Sequence, residues 1–159
     1  MSEKGIVLKS KLPDTGTTIF SVMSKLAVDH GAINLSQGFP DFDVDPQLIE
    51  LVYYYMKNGN NQYAPMPGVL QLRETISEKL FGCYNVKYNA ETEINITAGA
   101  TQAIFTVITT VIHSGDEVII FEPAYDCYSP AVKVNGGVPV FIQLDLPEFK
   151  INWEKVKQK

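Results

Sequence analysis

Basic charge is in short supply. Lysine and arginine number 13 against 18 aspartates and glutamates, a formal net charge of −5. A chain of that sign has no basic field with which to hold nucleic acid or an anionic membrane. Cysteine is scarcer. Cys83 and Cys127 lie far apart and match no metal-ligand spacing, so no metal site is expected. Two reduced thiols suit the cytoplasm, where disulfides are rare. Long apolar runs are missing as well, and the longest are too short to span a bilayer. The opening MSEKGIVLKSKLPDTG has no apolar stretch behind its charges, which argues against a secretory signal. Internal repeats and low-complexity segments are absent too. The expectation is a soluble cytoplasmic protein with no nucleic-acid or membrane partner.

What is there suffices for one compact core: 159 residues, 45% hydrophobic and 19% charged. The first 45 residues are loosely patterned. Residues 18–29 carry Ile19, Val22, Met23 and Leu26 on one helical face. Gly, Pro and Asp then mark NLSQGFPDFDVDP as a loop or extended segment. Asp45-Pro46 reads as an N-cap with proline at the first helical position, and Asn58-Gly59 as the end of that helix. Leu48, Ile49, Leu51, Val52, Tyr55 and Met56 form its stripe. A second helix is predicted from about Val69 to Phe81.

From residue 94 the periods alternate. INITA (94–98) reads as a strand, 101–112 as a helix with a wide apolar face, and EVIIF (117–121) as a strand buried on both faces. Residues 126–135 read as a helix and 138–144 as another strand, with a further helix starting near INWEKVKQK. Strand–helix alternation at these lengths predicts an α/β fold with a mostly parallel sheet.

Four stretches carry chemistry. In NITAGATQAIF (95–105), Ala98, Gly99, Ala100 and Thr101 fall where a strand ends and a helix begins. Ligands bind beyond the carboxyl ends of such strands. The first amides of a helix and its dipole favour an anion, phosphate above all. Tight packing of helix on strand explains the same small residues equally well. In EPAYDCY (122–128), Tyr125 falls just past a strand, where its ring could stack on a flat ligand or pack on a helix. NQYAPMPG (61–68) offers the Tyr63 hydroxyl in a polar loop. LSQGFPDF (35–42) offers Gly38, as a bare backbone amide or a simple turn.

LSQGFPDF, NQYAPMPGVLQLRETI, ITAGATQAIF and GDEVIIFEPAYDCY, in this order and spacing, resemble the class I/II aminotransferases that depend on pyridoxal 5'-phosphate, in the branch of the methionine and kynurenine/glutamine enzymes. The likeness runs from about Thr17 to Trp153. It implies the α/β fold type I of pyridoxal-phosphate-dependent transferases. Residues 1–45 would form an N-terminal arm and small-domain segment, and residues 46–159 the first, incomplete part of the large cofactor-binding domain. By motif, Gly99, Ala100 and Thr101 match the phosphate-binding helix start. Tyr125 matches the ring that stacks on the cofactor. Tyr63 matches the tyrosine that reaches the phosphate of the neighbouring subunit in a homodimer whose active sites lie at the interface. Gly38 matches the glycine near the substrate carboxylate, and Phe20 an aromatic residue beside the substrate side chain. The partners so implied are an amino acid and a 2-oxo acid.

The departure is one of length. The family's cofactor-linking lysine, its asparagine and tyrosine at the pyridine oxygen, its aspartate at the pyridine nitrogen and its carboxylate-binding arginine all lie downstream of any residue here. No catalytic residue is therefore assigned. Ser24-Lys25 resembles the lysine context only superficially and reads as a surface lysine; Arg73 reads as a helix-surface or ion-pair residue. The chain is expected to be the N-terminal portion of the enzyme, inactive alone, and unstable or prone to associate without the rest of its sheet. A fold type I C–S lyase, a non-catalytic phosphate-binding fragment and a plain α/β domain are the alternatives.

Overall fold

The computed structural model describes residues 8–38 and 40–159. Phe39 of the QGFPDF stretch and residues 1–7 of the expected arm lie outside the described residues. The chain divides into two compact units. One is discontinuous, running to Leu26 and resuming at Ala98; the other is Ala27–Thr97.

Local signals set most of the helices. α1 is Ile19–Asp29, and at its start Thr18 Oγ1 accepts the Ser21 N–H at 3.3 Å. α2 is Pro46–Lys57. Asp45 caps it by accepting the Gln47 N–H at 2.8 Å, and proline occupies the first turn. Its expected stripe is in place, but Leu48, Ile49, Leu51, Val52, Tyr55 and Met56 are each 45–59% exposed. α3 is Leu70–Tyr84, ending three residues beyond the end its spacing predicted. Asn85 ends it in the left-handed conformation, φ 54°, a role asparagine tolerates.

Within Ala27–Thr97, α3 is tied to the chain that follows it. Arg73 is only 7% exposed, which corrects the expectation of a surface or ion-pair residue. Its guanidinium donates to the carbonyls of Gly68 at 3.2 Å, Ala90, and Glu91 at 3.3 Å. Ser77, also buried, donates its hydroxyl to the Tyr88 carbonyl. A planar fork with several donors suits carbonyls converging from separate loops. Residues 94–98, expected as a strand, form none. Ile96 N–H makes a backbone bond to Pro67 O at 3.0 Å, but a ladder needs a run of such bonds along a partner strand.

The discontinuous unit holds α4 (Ala100–Val111), β1 (Glu117–Glu122), α5 (Tyr128–Val134), β2 (Val138–Gln143) and α6 (Trp153–Lys157). β1 and β2 pair in parallel, Glu117 opposite Val138 through Glu122 opposite Gln143. A parallel pair needs a crossover, and α5 provides it while packing on both strands and on α4. The buried apolar residues are Ile120, Ala131, Val132 and Ile142. Burial of each larger one is worth about 1.5–3 kcal/mol. EVIIF is not buried on both faces as expected: Ile120 is enclosed while its neighbour Ile119 stays 44% exposed. Among the described residues the sheet has only two strands, so most of β1 stays open. Both cysteines are free thiols. No helix among the described residues is long and apolar enough to cross a membrane.

α6 is fastened by one polar cluster. Lys155 Nζ lies 2.7 Å from Asp145 Oδ1, and Asn152 donates to Oδ2 at 3.1 Å while capping the helix. The bond from Lys155, then that from Asn152, holds the Asp145 carboxyl below the usual carboxylate range. A depressed folded pKa stabilises the folded form above the unfolded value and ceases to do so as pH falls through the folded value. Docking of α6 is thus expected to weaken progressively as pH falls from the ordinary carboxylate value to the lower folded one. The side-chain ¹³C shift of Asp145 should titrate low, together with the Lys155 amide. A midpoint at the ordinary aspartate value would count against the cluster.

Candidate functional site

β1 ends at Glu122, and the chain turns through Pro123 and Ala124 to Tyr125 before α5 begins. α4 starts beside this turn. Together they border a cleft of about 320 Å³, lined by Ala98, Gly99, Ala100, Thr101 and Ile104 at and before the start of α4, and by Tyr125 and Tyr128 of the turn and α5. The four small residues are all exposed. A Cβ built on Gly99 would meet nothing within 4 Å. Tight packing therefore does not explain them; what they share is an open backbone.

Gly99 is required for a different reason than clearance. Its φ of 91° and ψ of 167° lie in a region essentially confined to glycine. The residues of the first turn, Ala100 and Thr101, line the cleft with Gly99. Glycine has no side chain with which to cap that turn, and the turn holds no acidic residue. A 12-residue helix carries roughly half a unit of positive charge at this end. Here that charge and the first amides meet an opening large enough for a phosphate group. Thr101 adds a hydroxyl.

The opposite side is aromatic. Tyr125 is 52% exposed, with its ring centroid 6.2 Å from that of Tyr128 at 55° and 6.0 Å from that of Phe20 at 38°. These are offset, tilted contacts that steady a ring while leaving a face for a flat ligand. Phe20, placed beside substrate by resemblance alone, thus sits next to the ring expected to stack on the cofactor. The structure gathers Phe20, Gly99, Ala100, Thr101 and Tyr125 in the discontinuous unit. Gly38 and Tyr63 belong to Ala27–Thr97. Gly38 has open space where a Cβ would stand, and Tyr63 is fully exposed on the loop between α2 and α3.

Reading the sequence overlooked Gln102. Its Oε1 accepts the Ala98 N–H, closing the turn around Gly99. A partial signal was available: Gln102 is the third residue of α4, where a capping box places Glu or Gln, although such a box serves the N-cap amide and Gln102 serves Ala98, one residue earlier. It was masked because the box's Ser or Thr is replaced by Gly99.

A family model of the class I and II aminotransferases matches residues 30–159. The chain is 46% identical over 155 residues to the methionine aminotransferase of Escherichia coli (strain K12), covering 98% of this chain and 40% of that protein. It is 34% identical over 131 residues to a kynurenine–oxoglutarate transaminase of Dictyostelium discoideum, covering 81% and 30%. The crystal structure of Escherichia coli YbdL, in which a methionine aminotransferase function was identified, superposes with a TM-score of 0.91, covering 97% of this chain and 40% of that one. The N-succinyldiaminopimelate aminotransferase of Mycobacterium tuberculosis superposes at 0.86 and 36% identity, covering 96% and 40%. The α/β architecture is the fold type I architecture of these enzymes, and the chain spans 40% or less of their length. A match over most of the chain, at these identities and with these superpositions, means that the chain belongs to the class I and II aminotransferase family.

Proposed function

We propose that the chain is the N-terminal portion of a pyridoxal-phosphate-dependent aminotransferase that moves an amino group from an amino acid (methionine, glutamine or an aromatic one) to a 2-oxo acid. Residues 1–45 are its arm and small-domain segment, and residues 46–159 the first part of its large domain. The observation that carries the reading is the exposed run Ala98–Thr101 at the start of α4, set across one cleft from the half-exposed ring of Tyr125. An anion site and an aromatic face side by side suit a ligand that is a phosphate at one end and a flat ring at the other.

The residues present fit that group. The amides of Ala100 and Thr101, with the Thr101 hydroxyl, bind the phosphate, and the dipole of α4 offsets its charge. Gly99 supplies the backbone geometry that opens the turn. Tyr125 covers one face of the ring and keeps water from it. Phe20 steadies Tyr125 and borders the substrate side chain. Gly38 presents backbone to the substrate carboxylate. Tyr63, exposed on its loop, donates its hydroxyl to the phosphate in the neighbouring subunit of a homodimer. When bound, pyridoxal phosphate supplies the electron sink that makes the α-proton of an amino acid removable. This chain binds and orients; the proton transfer belongs to residues that follow it. The similarity to methionine and kynurenine–oxoglutarate aminotransferases supports the donor class, and the acidic composition with two free thiols supports a cytoplasmic location.

Turnover of the full-length protein with methionine, glutamine or phenylalanine should require an added 2-oxo acid. Release of thiol or ammonia without one would sink the aminotransferase reading in favour of a lyase. Within the same protein, Tyr125→Ala should weaken pyridoxal phosphate binding about tenfold, the order of one lost aromatic stack. An unchanged dissociation constant by fluorescence titration would refute the stacking role.

A further inference from the structure

Gln102 bonds backward. Its Oε1 accepts the N–H of Ala98, on the far side of Gly99. Because the partner is a donor, the oxygen end of the amide faces Ala98. In a complete capping box the N-cap side chain would in turn accept the Gln102 amide. Gly99 occupies that N-cap and has no side chain, so the N-cap half of the box cannot form, and Gln102 reaches one residue beyond the N-cap, to Ala98. That bond holds the incoming chain. The missing N-cap side chain is the one that would otherwise cover the first turn of α4.

Two consequences follow. The Ala98 N–H is satisfied inside the turn. The peptide between Thr97 and Ala98 is thereby tethered to α4 itself. Gly99, at φ 91° and ψ 167°, lies between that tethered peptide and the helix. Without the tether, Gly99, which is free to sample many conformations, would let the turn swing across the helix end. With it, the amides of Ala100, Thr101 and Gln102 keep their common direction along the helix axis toward the cleft.

We infer that Gln102 is a positioning residue for the cofactor phosphate: it holds the Ala98–Gly99 turn so that the first-turn amides converge on the anion, without touching the anion itself. The inference rests on the reading of the cleft as the pyridoxal phosphate site. It differs from a general stabilising role in being selective, because only ligands that carry the phosphate should feel its loss. It differs from direct contact in needing an acceptor: a carboxylate at this position serves the Ala98 N–H as well as an amide does, whereas a side chain donating to phosphate could not be replaced by one.

The test uses the full-length protein with Gln102→Leu and Gln102→Glu, measuring dissociation constants for pyridoxal phosphate and for pyridoxal, which lacks the phosphate, together with thermal melts. Gln102→Leu should weaken pyridoxal phosphate about tenfold, the order of one lost hydrogen bond, and pyridoxal less than about threefold. Gln102→Glu should hold pyridoxal phosphate within about threefold of the original. Equal losses for both ligands in Gln102→Leu, or a Gln102→Glu variant as weak as Gln102→Leu, would overturn the positioning role. If the unsubstituted protein binds both ligands equally, the cofactor reading fails and the inference falls with it. A phosphate preference that survives in Gln102→Leu overturns the role of Gln102 alone. If Gln102→Leu does not fold, Gln102→Ala takes its place: a loss confined to pyridoxal phosphate supports the role, and equal or no loss for the two ligands overturns it.

Discussion

Arg73→Met should lower the local stability of α3 and the segment 85–96 by about 3 kcal/mol or more. The guanidinium is 7% exposed and serves the carbonyls of Gly68, Ala90 and Glu91. Methionine matches much of its apolar volume but provides no donor. Three carbonyls would lose their partner, and a buried polar group left unmade costs roughly 1–3 kcal/mol. Relaxation and entering water would return part of the loss. Amide hydrogen exchange in the full-length protein is the suitable probe, since it reads local opening separately from global unfolding. Faster exchange across residues 70–96, with the amides of β1 and β2 little changed, is the expected pattern. Arg73→Lys should recover only part of the effect, because a single ammonium cannot span carbonyls that the fork reaches together. Unaltered exchange in Arg73→Met would show that the guanidinium bonds contribute nothing net.

Gly99→Val should weaken pyridoxal phosphate binding by about a hundredfold. At φ 91° and ψ 167°, a β-branched side chain is strained by up to about 3 kcal/mol, which corresponds to roughly two decades in a binding constant if the strain is relieved by abandoning the bound geometry. The strain arises from the backbone alone, since a Cβ at this position meets no other atom within 4 Å. Gly99→Ala should therefore show the same effect in milder form, with most of the folded stability kept. Fluorescence titration with inorganic phosphate as competitor separates the anion site from the ring site: competition should fade in the valine variant. A valine variant that binds the cofactor normally would mean that the first turn of α4 does not hold the phosphate.

The contrast between these residues explains what could be read in advance. Asp45-Pro46 and Asn58-Gly59 mark the ends of α2 because a cap acts on amides one or two residues away, and both ends are where the spacing put them. The β1–α5–β2 unit was legible for a similar reason: two apolar runs flanking a short helix leave a parallel crossover as the economical solution. α3 outran its prediction because the left-handed stop is supplied only at Asn85. INITA pairs with no strand among the described residues, and apolar alternation makes a strand only where another strand pairs with it.

In the site, sequence alone brought Gly99, Ala100, Thr101 and Tyr125 under suspicion. It left open whether the small residues pack or expose their backbone. It gave no role to Gln102 and assigned Arg73 to the helix surface or an ion pair. Those matters depend on partners distant in the chain or on a dihedral angle, and neither is encoded by residue type at one position. Arg73 meets carbonyls 17 and 18 residues onward, a distance at which helical periodicity carries no information. Gly99 could have been a packing glycine until its φ and the open space around it were known.

By itself, then, the sequence determined the charge sign, the ends of α2, the parallel crossover and the family, because each follows from composition, short-range capping or motif order. Tertiary structure alone decided that the small residues at 98–101 face a cleft, that Tyr125 and Phe20 stand ring to ring, and that an arginine on α3 is buried. Those outcomes arise when segments remote in sequence compete for the same space and the same hydrogen bonds, and only the folded chain resolves that competition.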